Sequence, residues 1–147
     1  MAAGTWKLYT IGKKRLANGT ISLSATTFKL YLAKSTSNAM SSRTTLAGLG
    51  SVTNKVASTS GFHATSGEAL LAEKWSTDGA SGYKFDCSVP VITALGSPIS
   101  SVMYGIIATS GGTNLLAVCS LSSAAFTVGA GSTLTITINA SGVFSLT

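Results

Sequence analysis

Histidine, cysteine and carboxylates build most active sites, and this chain of 147 residues is poor in all of them. Its one histidine, His63, stands in a Ser/Gly-rich stretch with no cysteine or carboxylate at ligand spacing, so no metal-site signature forms around it. The four acids are Glu68, Glu73, Asp78 and Asp86. General acid–base work needs a positioned carboxyl of perturbed pKa, and glycoside hydrolysis needs a pair facing across a cleft. The pattern does not suggest such a pair: Asp78-Gly79 reads as a turn, and Asp86 falls on the polar face of an alternating strand. Serines are abundant, yet no GxSxG elbow occurs. Gly48-Leu49-Gly50-Ser51 lacks the Lys-Ser/Thr ending of a phosphate loop. Cys87 and Cys119 stand far apart on predicted strands, unlike a redox CxxC. They read either as buried small hydrophobes or as a disulfide, within one subunit or between subunits, and both readings stay open. The expectation is a protein without catalytic residues, metal or cofactor.

The elements that would have to position any site are strands. Thr27–Lys34 alternates, with Phe28, Leu30 and Leu32 on one face and Lys29, Tyr31 and Ala33 on the other, as a half-buried strand does. Residues 35–66 are mostly Ser, Thr, Ala, Gly and Asn, a long loop with room for a short helix near Leu46. Residues 67–75 lean to strand. Tyr83, Phe85, Cys87 and Val89 alternate with Lys84, Asp86 and Ser88 up to Pro90, which ends the ladder or marks an edge. Residues 99–108 and 115–121 are apolar on both faces, as central strands are, and residues 110–114 form the hairpin loop between them. The sharpest alternation of all is Leu134, Ile136 and Ile138 against Thr133, Thr135, Thr137 and Asn139. After the Asn139–Gly142 turn, Phe144 and Leu146 tie the last strand into the sheet. Seven or eight short strands between Gly/Ser turns predict a single all-β domain over 20–147, an antiparallel β-sandwich of jelly-roll or Ig-like type or a small barrel. Residues 1–19 precede it as an arm or short helix ending at Asn18-Gly19.

Composition narrows the role. Apolar residues make up 45% and charged residues only 10%, well below the usual ~25%. A surface of Ser, Thr, Gly and Ala lacks the repulsion that keeps free proteins apart, and suits a protein packed against copies or partners. No apolar run approaches the ~20 residues of a membrane span. The N-terminal stretch lacks the apolar core of a secretory signal.

The net charge is +6, and beyond Asp86 the chain carries no charged residue. Lys7, Lys13, Lys14 and Arg15 cluster in the arm with Trp6 and Tyr9. Such a set can meet an acidic protein surface, or contact phosphates and stack on bases. No RNA-binding aromatic signature, helix-turn-helix or zinc motif accompanies it, so specific nucleic-acid recognition is not expected. Trp6, Lys7, Tyr9, Lys13, Lys14 and Arg15 are the candidate contact residues, and loop 35–66 is a second contact element.

The segment KKRLANGTISLSATTFKLYLAKS (13–35), the strands VMYGIIATS (102–110) and LLAVCSL (115–121), and the closing LTITINASGVFSLT (134–147) carry a resemblance. In these stretches the chain resembles short tailed-bacteriophage virion structural proteins of the capsid decoration, or cement, type. The resemblance covers both ends well and the middle poorly, and the two cysteines depart from it. It implies a non-enzymatic protein made in the host cytoplasm and carried on the virion, at the capsid surface. The implied partners are the major capsid protein or other virion proteins, with a homo-oligomer, a trimer by analogy. A neck, tail or fibre component is the nearest alternative. A carbohydrate-binding β-sandwich is another, which would need an exposed aromatic platform built from Trp6, Trp75 or the tyrosines.

Overall fold

The computed structural model describes residues 4–34, 56, 62, 66–77, 82–89 and 91–146. They are mostly β, in antiparallel sheets, with one short helix. In chain order the elements are β1 (Lys7–Leu8), α1 (Thr10–Ala17), β2 (Phe28–Lys34), β3 (Glu68–Ala69), β4 (Leu71–Thr77) and β5 (Tyr83–Ser88). They continue with β6 (Ile92–Thr93), β7 (Ile99–Thr109), β8 (Leu115–Ser120), β9 (Phe126–Val128), β10 (Thr133–Leu134) and β11 (Phe144–Leu146). The main sheet runs β1-β8-β7-β2-β3, with β9 also on β7; a second sheet runs β11-β5-β4, and β10 pairs with β6.

Hydrophobic patterning explains the centre of the main sheet. β7 is hydrogen-bonded to both β8 and β2, with Ile106 opposite Val118 on one side and Tyr31 on the other. One face of these strands (Phe28, Leu30, Leu32, Ile107, Ala117, Cys119) joins the main core, which also takes in Phe85, Ile92 and Val143. The opposite face (Tyr9, Tyr31, Ala33, Ile106, Ala108, Leu115, Val118) forms a second buried cluster. The half-buried strand expected at 27–34 is therefore corrected: β2 is covered on both sides, because Tyr31 and Ala33 lie in that second cluster. Fully burying each large apolar side chain contributes about 1.5–3 kcal/mol, so these strands hold much of the stability. Phe28 meets Phe85 edge-on at 5.2 Å, joining the main sheet to the β11-β5-β4 sheet.

Turns fall where Gly, Asn and Ser were placed. The β7–β8 hairpin closes with Gly112 N–H donating to Thr109 O (2.8 Å) and Asn114 N–H to the Thr109 hydroxyl (3.1 Å). The Asn139 side chain accepts from Ser141 N–H (2.8 Å), which sets the last turn. The strand with the sharpest alternation is the one the structure shortens. Only Thr133–Leu134 form a ladder, although Leu134 and Ile136 are buried and the intervening threonines exposed. Alternation reports which face meets the core; the length of a ladder depends on the partner, and here that is the two-residue β6. Ala72 and Ser101 adopt left-handed backbone where the β4–β5 and β7–β9 registers shift, as bulge residues do.

The N-terminal segment is built into the fold. Gly4 N–H donates to Ser120 O and Tyr9 N–H to Leu116 O, flanking the two-residue β1–β8 ladder. α1 then lies on β8 through Gly12, where an added Cβ would stand 2.7 Å from Leu116 O and 3.2 Å from Leu115 O. The glycine that weakens the helix on propensity is the residue that lets it sit flush on the sheet. Lys14 and Arg15 fall in its last turn, where cations favour the helix dipole. Among the described residues no helix is long and apolar enough to cross a membrane. Replacing Gly12 by Ala should lower stability by about 1–3 kcal/mol through overpacking, read as a lower urea midpoint.

Candidate functional site

Two of the described acids accept backbone amides. Glu73 Oε1 accepts the Phe28 N–H at 3.2 Å, so this carboxylate caps a backbone amide of β2. Burial pushes its pKa up, with the Phe28 amide pulling the other way. Asp86 Oδ1 accepts from the Cys87 N–H at 2.9 Å. Cys87 on β5 and Cys119 on β8 are free within the chain and buried in the main core. Burial pushes the Cys87 thiol up to about 12, with the charges of Asp86 and Glu73 adding to it. Burial likewise pushes Cys119 up to about 12, partly offset by the Gly105 backbone. A thiol at that value holds almost no thiolate near neutrality and is a poor nucleophile. Among the described residues no group of three or more His, Cys, Asp or Glu could hold a metal. His63, Asp78, Pro90, Arg43 and Lys55 lie outside the described residues, as does most of loop 35–66. Of that loop, Val56, Phe62 and Ser66 are described, and the first two are buried in the main core.

The basic arm is divided by the fold. Trp6 (6% exposed) and Tyr9 (4%) are buried in the chain's own clusters and are not offered to a partner, because β1 holds the segment against β8. Trp6 packs over Gly105, and its indole Nε1 is buried without a hydrogen-bond partner. The Tyr31 hydroxyl is likewise buried with no partner in hydrogen-bond geometry. The Gly111 and Gly112 amides favour its ionised form, but burial outweighs them and raises its pKa. Lys7, Lys13 and Lys14 remain exposed and Arg15 half-buried.

Lys13 leads to the feature that composition alone did not reveal. Between α1 and the β11-β5-β4 sheet lies an open groove of about 770 Å³. Leu8, Leu16, Ala17, Ile21 and Leu23 line one side; Trp75, Phe144 and Leu146 line the other, with Ser24 and Ser145 as small polar groups. Lys13 is the one ionisable lining residue. That volume and apolar lining with few polar groups are typical of binding sites. Cross-strand register explains the aromatic wall: Trp75 and Phe144 both stand opposite Phe85, and Tyr83 lies two residues along. Trp75 stacks on Tyr83 (5.6 Å, 16° between planes) and tilts against Phe144 (6.2 Å, 43°). Beyond the core these side chains emerge: Tyr83 is 51% exposed and Leu146 49%.

Sequence reasoning missed Leu16, Leu23 and Leu146 as surface residues, and used Phe144 and Leu146 only to anchor the last strand. The signal that could have found the aromatic pair is the β4–β5 hairpin, which sets Thr77 opposite Tyr83 and Trp75 diagonal to it.

Two measurements follow from these groups. Neither thiol should react with a disulfide reagent in the native protein at pH 8, and both should react in guanidinium. Because their folded pKa values lie above the ordinary 9.0, ionisation favours the unfolded chain, and stability should fall as pH rises past about 9. Glu73 is also raised, so its burial cost is absent at low pH and grows as pH rises through the ordinary carboxyl value of 4.5. Glu73→Gln keeps an acceptor for Phe28 and should remove that pH-dependent loss, giving a urea midpoint at pH 7 equal to or above the parent's.

Comparison with family models, with curated proteins and with solved structures finds no match to this chain.

Proposed function

We propose that this protein is a non-catalytic virion structural protein, a capsid decoration (cement) protein of the tailed-phage type, acting by surface contact. The observation that carries the reading is the pairing of an open apolar groove with an exposed basic helix, in a domain whose described acids and thiols are occupied in structure. The architecture that accompanies it is a β-sandwich, with the Phe28–Phe85 contact between its layers. A decoration protein binds the assembled shell and not free subunits, and so stabilises the shell by mass action. Each contact needs ~1,000 Å² of buried surface or more to be specific. Lys7, Lys13, Lys14 and Arg15 supply the charge for an acidic shell surface of the major capsid protein or another virion protein, and copies join as a homo-oligomer.

A carbohydrate-binding module is the second reading, favoured by the stack of the groove-lining Trp75 on the exposed Tyr83. Stacking aromatics bind sugar faces when hydrogen-bonding groups surround them, and the groove supplies Ser24, Ser145 and Lys13. Purified protein mixed with assembled phage heads should pellet with them at a fixed, saturable copy number and appear on the capsid surface by cryo-electron microscopy. Binding to the neck, tail or fibre would move it to that location. Sugar-specific retention on a glycan array, or salt-sensitive DNA binding without shell binding, would replace the virion reading.

A further inference from the structure

β11 is hydrogen-bonded on one side, to β5, and among the described residues its other edge meets no strand. An open edge presents unpaired N–H and C=O groups, and proteins normally shorten, charge or cover such edges. β11 is short, but none of its residues is charged. Phe144, Ser145 and Leu146 also line the groove. A strand added alongside β11 would extend the β11-β5-β4 sheet, and its alternate side chains would then enter the groove.

Charge selects the occupant. Among the described residues no acid lines the groove, while Lys13 does, and Lys14 and Arg15 follow it on α1. A second copy is a poor match for this site: its net charge is +6, and among its described acids Glu73 is turned onto the Phe28 amide and Asp86 onto the Cys87 amide.

We propose that the β11 edge and the groove together receive an extended, acidic-apolar segment of a different protein by strand addition. The segment's backbone pairs with β11, its apolar side chains pack between Leu16 and Phe144, and a carboxylate meets Lys13. This rests on the contact reading above and gives the partner its chemistry.

The full chain is titrated with a fluorescein-labelled peptide alternating valine and glutamate, and with its valine/lysine counterpart. The valine/glutamate peptide should bind saturably and slow amide exchange at residues 144–146; the valine/lysine peptide should not bind. Lys13→Glu, on an exposed helix position, should weaken the acidic peptide about fivefold and shift preference to the basic one. Leu146→Asp, at a half-exposed position, should abolish binding with unchanged circular dichroism. Lack of binding, equal binding of both peptides, indifference to Lys13→Glu, or protection away from β11 would each overturn the proposal. So would self-association that protects β11. Loss of peptide binding with head association retained refutes the strand site alone; peptide binding without head association refutes the virion role alone.

Discussion

A strand that is apolar on both faces must be roofed twice, and the arrangement of this molecule follows from that demand. β2, β7 and β8 present Phe28, Leu30, Ile107 and Cys119 to one side and Tyr31, Ile106, Leu115 and Val118 to the other. The first side is closed by Phe85, Ile92, Val143 and their neighbours. On the second, Tyr9 and the half-buried Ile11 join the cluster, placed there by the N-terminal segment as it runs along β8. Gly12 makes that placement workable, since any side chain there would collide with the β8 backbone. Dispersion and hydrophobic burial, spread over many contacts, therefore fix where the basic residues of α1 come to rest.

The groove is the complement of this packing. The main sheet and the β11-β5-β4 sheet touch at Phe28 and Phe85, and residues of α1 and β11 line the groove. Trp75, Phe144 and Leu146 line it together with Leu8, Leu16, Ile21 and Leu23. Three ionisable groups are spent elsewhere: Glu73 and Asp86 on backbone amides, Lys84 on Ala140 O at 2.7 Å. Among the described lining residues Lys13 is the one charge, which gives a largely apolar surface a direction.

The all-β character was legible because alternation and turn chemistry agree along most of the chain. β5, β7 and β8 lie where their patterns place them, as does the Gly111–Gly112 hairpin. The second face of β2 was less legible, since Tyr31 and Ala33 read equally well as a wet face until β7 and the N-terminal segment are folded against it. Trp6 and Tyr9 looked like contact residues because an aromatic beside lysines has the same local appearance whether its ring points to a partner or to its own core. Burial of a ring depends on β8, far away in sequence, and local pattern does not carry that information. The groove was invisible for the same reason: Leu16 on α1, Trp75 on β4 and Phe144 on β11 come from separate thirds of the chain.

The placing of β2 beside β7 also bears on how the chain comes to be folded. β2 ends at Lys34 and its partner begins only at Ile99, so the central ladder joins distant parts of the chain. β7 and β8 can zip locally through their hairpin, whereas β2 must wait for them. During synthesis a strand greasy on both sides leaves the ribosome well before anything exists to receive it, with Lys29 and Lys34 as its own charges. Added chaperone or a lower growth temperature would act on that waiting interval more than on the finished fold.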